Sequence, residues 1–212
     1  MDIQFLRKEY KLKKLNRSSL DSCPFKQFNI WWQEALSAEE LEPNAMALAT
    51  ANPKNCRPSC RMVLMKSFNE KGILFFTNLE SRKSTEIEAN PQAEALFWWR
   101  ALERQVRIEG NVEKASQKET EEYFSKRPRK SQLGSLASRQ DTIIESRASL
   151  ENELQKLEEQ FKEKPIPVPA YWGGYWLIPQ AFEFWQGRED RLHDRFRYLK
   201  TEEGWTIDRI SP

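Results

Sequence analysis

The stretch AMALATANPKNCRPSCRMVLMKSFNEKGILFFT, residues 45–77, decides the fold. Three apolar runs of strand length, 45–51, 59–66 and 72–77, are separated by turn chemistry at Asn52-Pro53 and Asn69-Glu70-Lys71-Gly72. Pro presets φ, Asn bonds its own backbone and Gly admits positive φ, so these junctions reverse the chain. The pattern continues with runs at 93–99 (after Asn90-Pro91) and 105–114, then near 175–179, 191–198 and 205–210. Many strands with short turns and few helices predict a mainly β chain, an antiparallel barrel with helical decoration.

The helices announce themselves separately. Asp21 or Ser22 can cap a helix starting near Pro24, with Phe25, Phe28, Trp32 and Leu36 on one face. Ser116-Gln117-Lys118-Glu119 is a capping box, and the helix it opens must stop near Arg127-Pro128. A longer helix is expected over about 141–162, with Leu150, Leu154, Leu157 and Phe161 at helical spacing. Pro165, Pro167 and Pro169 make a stiff connector. Residues 1–20, basic and aperiodic, read as a mobile N-terminal arm, and 21–212 as one domain.

Composition narrows the chemistry. A net charge of +2 over 212 residues gives no bulk reason to bind nucleic acid. Three cysteines without a C-x-x-C pair and a single histidine make a poor metal set and no disulfide framework. No apolar leader or membrane span is visible, so a cytoplasmic protein is expected. Only seven glycines are present, with no glycine-rich phosphate loop, so any phosphate must be held by side chains.

Four places are equipped for anions. Arg82 and Lys83 stand before the helix-like segment 85–89, where cations oppose the helix dipole unless an anion lies between them. Arg61 and Lys66 lie five apart on one expected strand, which points them to opposite faces unless a bulge or twist intervenes. Tyr123 and Arg127 share a helix face, with Ser131 just past the break. Finally, a strand beginning at Arg191 would put Arg191, His193, Arg195 and Arg197 on one face, and Leu192, Asp194, Phe196 and Tyr198 on the other. Such crowding of like charge calls for an anion or a carboxylate-rich surface, or else marks a solvated edge.

The strings Glu183-Phe184-Trp185-Gln186-Gly187 and Arg191-Leu192-His193-Asp194-Arg195 resemble the C-terminal signature of the pyridoxine (pyridoxamine) 5'-phosphate oxidases. The likeness extends through Arg61-Met62-Val63-Leu64-Met65-Lys66, Thr77 to Lys83, Glu103-Arg104-Gln105-Val106 and Arg127 to Gln132, with a weaker match at Leu6 to Tyr10. It covers nearly the whole chain, in the family's order. It implies an FMN-binding split β-barrel, a homodimer with flavin sites at the subunit interface, and oxidation of B6 phosphates by dioxygen.

Residue by residue, the resemblance assigns the flavin to Arg61, Met62, Val63, Leu64, Met65, Lys66, Phe76, Thr77, Arg82, Lys83, Gln105, Gln140 and Asp141, with Trp185 and Arg195 from the second subunit. It assigns the substrate phosphate to Lys66, Tyr123, Arg127 and Ser131, the substrate ring and catalysis to Arg191 and His193, and arm contacts to Arg7 and Tyr10. Two positions depart from the family. Phe76 stands where Tyr is common, and Asp141 where Ser is frequent; Asp141 either caps the long helix or offers its backbone amide. An FMN oxidase of another ring system, as in phenazine pathways, is the nearest alternative, and the Arg191-Leu192-His193 motif speaks against it. A non-catalytic flavin-binding or B6-phosphate-binding module is a further one.

Overall fold

The computed structural model describes residues 9–38 and 40–212. Its centre is one antiparallel sheet. The strands are β1 (Ala45–Ala51), β2 (Pro58–Leu64), β3 (Ser67–Asn69), β4 (Gly72–Asn78), β5 (Gln92–Trp99), β6 (Arg104–Lys114), β7 (Trp172–Gln186), β8 (Asp194–Thr201) and β9 (Gly204–Ile210). They run in the order β2-β1-β5-β6-β7-β4-β3, with β8 paired to β7 and β9 to β8. The sheet curls into a split barrel: the turn pattern predicts the antiparallel barrel, and the resemblance its split form.

The 15-residue β7 organises this curl. Along one edge it pairs with β6; along the other, its first part pairs with β4 and its second part with β8. The switch falls where the β6 register slips, with Gly110 opposite Pro179 and Glu109 opposite Ala181. Pro179 has no N–H to give a ladder, so a bulge is its natural place. Gly110 fits because a Cβ there would lie 2.0 Å from the Ile178 carbonyl oxygen. From sequence, only the first part of this strand was visible.

Helix α1 (Pro24–Ser37) covers the barrel's core. Phe28 and Trp31 are buried with Ala35, and Trp31 meets Phe184 edge-on at 5.1 Å. The buried stripe is therefore offset from the expected one, and Leu36 points outward. Cys23 takes the N-cap position, and Asp21 instead accepts the Cys23 N–H. Residues 10–20 are docked rather than loose. Leu15 and Leu20 join the core, the Leu15 N–H is bound by the Asp194 carboxylate, and those of Lys11 and Leu12 by Glu103.

Helix α2 (Arg82–Ala89) begins earlier than its apolar content suggests, so Arg82 and Lys83 belong to its first turn. Helix α3 (Gln117–Lys126) opens on the expected capping box and ends with Arg127 extended before Pro128. A new helix, α4 (Arg129–Ala137), starts at once, where no helix was expected. Helix α5 (Arg147–Gln160) starts later than expected, at a Ser146 cap. Asp141 does not cap it: with φ 65° it sits in a separate turn. α5 packs on α4, and its Leu150, Leu154 and Leu157 are half-buried. No described helix is long and apolar enough to cross a membrane.

Candidate active site

An open cleft of about 880 Å³ gathers side chains from β2, β4, α2, α3 and α4. Of the sequence candidates, Arg61, Met62, Val63, Leu64, Lys66, Phe76, Thr77, Lys83, Tyr123, Arg127, Ser131 and Gln140 line it. Met65 does not; its side chain is buried in the core. Arg61 and Lys66 reach the same cleft without any bulge, because β2 ends at Leu64 and Lys66 lies beyond it. Strand parity does not apply across that end.

Lys83 is the most telling residue. It is 4% exposed, and its ammonium donates to Thr77 Oγ1 at 3.0 Å, Ser81 Oγ at 2.8 Å and Gln140 Oε1 at 3.1 Å. All three partners are neutral. Burial pushes its pKa down, Asp141 partly opposes this, and Arg61 adds to it. A buried cation with no directly bound carboxylate, at the wall of a cleft, is a site prepared for an anion.

Arg61 is braced differently. Its guanidinium donates to the Leu48 carbonyl at 3.0 Å, to Thr50 Oγ1 at 2.7 Å and to Ser59, with Glu86 3.6 Å away. Glu86 also accepts from Arg82 Nε at 2.8 Å. Burial alone would raise the Glu86 carboxyl, but hydrogen bonds from Ser59 and Thr50, then Arg82, hold it down at about 2. The Arg82 side chain is drawn to an adjoining depression that it shares with Asp141, whose carboxylate caps α2 by accepting the Arg82 N–H at 2.7 Å. Asp141 thus caps a helix, though a different one from that expected.

On the other wall, the nearly parallel rings of Phe76, Tyr123 and Trp172 cluster, with centroids 4.2 Å (Phe76–Tyr123), 5.3 Å (Phe76–Trp172) and 6.1 Å (Tyr123–Trp172) apart. Phenylalanine at position 76 supplies one of the three rings of this cluster. Arg127 lies over the Trp172 ring at 4.8 Å and donates to Ser135 Oγ at 2.6 Å. Burial lowers its pKa. Lys66 is exposed, 6.0 Å from the Tyr123 ring. Neither Lys66 nor Arg127 forms an ion pair among the described residues. The Ser135 contact went unseen in the sequence, because it depends on α4.

The remaining candidates lie apart. Trp185, Arg191, His193 and Arg195 do not line the cleft. The single expected strand from Arg191 is also corrected: residues Glu189–Arg191 form a 3-10 turn, with Asp190 and Arg191 at φ 55° and 62°, and β8 starts only at Asp194. Two left-handed residues break the pleat, so Arg191 and His193 do not share a strand face with Arg195, and Leu192 is 69% exposed. Asp194, Phe196 and Tyr198 do face inward. The charge is relieved within the chain, as Arg195 pairs with Glu183, and both Arg188 and Arg209 pair with Asp194.

His193 accepts a hydrogen bond at Nδ1 from the Arg188 N–H at 3.1 Å, so its neutral ring carries the proton on Nε2. Burial, then the Arg191 charge, lowers its pKa. Tyr10 packs edge-on against Trp185 at 5.7 Å and His193 at 5.9 Å. Gln105 lies in register between Trp98 and Trp185 and belongs with this second group. Arg7 lies outside the described residues.

Comparison with known proteins matches this arrangement to a family. Residues 32–161 match the family profile named Pyridoxamine 5'-phosphate oxidase, and residues 172–212 that of the Pyridoxine 5'-phosphate oxidase C-terminal dimerisation region. The chain belongs to the pyridoxamine 5'-phosphate oxidase family. It is 51% identical over 211 residues to the pyridoxine/pyridoxamine 5'-phosphate oxidase of Rubrobacter xylanophilus, covering 100% of this chain and 97% of the relative. To that of Paraburkholderia phymatum it is 52% identical over 208 residues, covering 98% and 97%. Members of the oxidase family are oxidoreductases. Among solved structures, PhzG from Burkholderia lata, in complex with tetrahydrophenazine-1-carboxylic acid, superposes with a TM-score of 0.89 at 29% identity, covering 95% of this chain and 99% of PhzG. A related FMN-binding protein from Nostoc punctiforme shares the fold, with a TM-score of 0.70 at 18% identity over 92% of this chain and 99% of that one.

Proposed function

We propose that this enzyme oxidises pyridoxine 5'-phosphate and pyridoxamine 5'-phosphate to pyridoxal 5'-phosphate, the amine also consuming water and releasing ammonia, for vitamin B6 synthesis and salvage. FMN is the cofactor. The observation that carries this reading is the pair of cation sets in one cleft, held on different elements: Lys83, with no bound carboxylate, beside Arg61, which Glu86 braces from behind; and Lys66 with Arg127, neither in an ion pair among the described residues. Two phosphates, the flavin's and the substrate's, answer that chemistry. Bound there, FMN would supply the redox chemistry, taking a hydride from the substrate C4' and giving electrons to dioxygen with release of hydrogen peroxide.

The chain's own groups do the rest. Lys83, Arg61 and Gln140 hold the flavin end, and Lys66, Tyr123, Arg127 and Ser131 the substrate phosphate. The aromatic stack of Phe76 gives the cleft a flat wall. Arg191 positions the substrate ring. His193 offers Nε2–H as a donor. Because the ribbon carrying Trp185, Arg191, His193 and Arg195 stands off the cleft of its own chain, it serves the cleft of a second subunit in a homodimer. The free cysteines Cys23, Cys56 and Cys60 suit the reducing cytoplasm.

The test is direct. The purified protein should be yellow, and pyridoxine 5'-phosphate should release one hydrogen peroxide per pyridoxal 5'-phosphate formed. A protein that takes up no FMN, or takes it up and yields no peroxide, would overturn the reading. Reduced phenazine carboxylates, the chemistry of the Burkholderia lata relative, are the control; their turnover alone would move the substrate class to that ring system.

A further inference from the structure

Arg195 is clasped along one edge. Its Nε donates to Glu183 Oε1 at 2.8 Å and its Nη2 to Glu183 Oε2 at 3.0 Å, while Nη1 donates to the Ser211 carbonyl at 2.8 Å. Glu183 is 8% exposed. In register Glu183 faces Arg197, and Arg195 faces Trp185, so the clasp is a diagonal contact that Arg195 makes by leaning along the sheet. The clasp is one end of a longer chain of charge. Glu183 lies 3.5 Å from Arg107, which binds Glu94 through two bonds of 2.6 and 3.2 Å. Glu94, Arg107, Glu183 and Arg195 thus alternate in sign across β5, β6, β7 and β8.

We propose that Glu183 is the positioning residue for Arg195, setting the direction in which this guanidinium meets the flavin of the partner subunit; this rests on the proposed role of Arg195. A guanidinium has five N–H groups in a rigid plane. Three are engaged among the described residues, and Glu183 takes two of them on one edge. That leaves one N–H on each terminal nitrogen for a ligand, in a plane already fixed before the ligand arrives. Preorganisation of this kind saves the ordering cost at binding. Arg107 already has Glu94 as its main partner, so the Glu183 charge is not needed to neutralise it. What Glu183 supplies alone is the charged, two-bond hold on Arg195.

The experiment titrates flavin-free dimer with FMN, following flavin fluorescence, with melting temperature and dimer mass read in parallel. Glu183→Gln keeps size and polarity but loses the charged fork, and should weaken FMN about tenfold. Glu183→Asp, which keeps the charge, should lose less, and serves as the second variant if the first does not fold. In an Arg195→Ala background, Glu183→Gln should cost no further flavin affinity. If Arg195→Ala itself leaves FMN binding unchanged, the role of Arg195 falls and this inference with it. If Arg195→Ala weakens FMN but Glu183→Gln does not, or if the two losses add, Glu183 is a structural carboxylate only and the site reading stands.

Discussion

The cleft and the ribbon both hold arginines and lysines, but they treat the charge in opposite ways. In the cleft, Lys83 is surrounded by hydroxyls and an amide, and Arg127 by a hydroxyl and an indole face. In the ribbon, Arg195 is clasped by Glu183, and Arg188 and Arg209 flank Asp194. An uncompensated buried cation binds an anion strongly because its desolvation has already been met by folding. A cation neutralised by its own sheet has little net charge left to offer and is better suited to direction. On the proposed function, the cleft holds the phosphates and the ribbon orients what they anchor.

The largest effect tests whether the two regions belong to one site. A mixed dimer is made from one chain with Arg195→Ala and one with Lys83→Ala, each nearly inactive alone. With shared sites, one site collects both lesions and the other none, so about half of normal activity should return. A mixture as inactive as its parents would place cleft and ribbon in the same chain's site and break the comparison.

The next tests sharpen the cleft side. Lys83→Ala should weaken FMN about ten- to a hundredfold, since a charge-assisted bond contributes roughly 1.5–3 kcal/mol. Equilibrium titration checks it, and unchanged affinity would remove Lys83 from the phosphate. Arg127→Ala should raise KM for pyridoxine 5'-phosphate about tenfold with little loss of flavin. Equal loss of both would mean that the cleft holds one phosphate rather than two.

The smallest effect concerns the ribbon. His193 is the only histidine, so its ring protons give an isolated NMR signal. That signal should titrate below the ordinary imidazole value of about 6.5, because burial and then Arg191 disfavour the charged ring. Arg191→Ala should move the midpoint upward but not fully restore it. The sign for stability follows: the contribution of neutral His193 is complete above pH 6.5 and is lost as pH falls through the lowered native value. A midpoint above 6.5 would show that an anionic neighbour outweighs burial and the Arg191 charge, and would break this account of the ribbon.

The strand pattern was legible because alternation and turn residues are local signals, and β1, β4, β5 and β6 fall close to their expected limits. The capping box at Ser116 was legible for the same reason. Helix α4 was not, because its apolar content is slight and Pro128 reads first as a stop. The strand assigned from Arg191 went astray because charge alternation continues through a turn whose left-handed residues are neither Gly nor Asn. Candidate residues came mostly from resemblance, since a lone Gln105 or Thr77 carries no chemical signature of its own.

By itself, the sequence determined the class of fold and the stock of candidate anion-binding groups: side chains rather than glycine loops, clustered in short motifs. Only the tertiary structure decided how each charge is spent. Thr77, Ser81 and Gln140 meet Lys83 from β4, the start of α2 and the loop after α4, and Glu183 meets Arg195 diagonally across two strands. A cation's readiness to bind an anion depends on what else lies within a few ångströms of it. That is a property of the packed chain: even Ser81 and Thr77, near Lys83 in sequence, meet it only through the strand-to-helix turn, while Gln140 comes from 57 residues away and Glu183 reaches Arg195 across two paired strands.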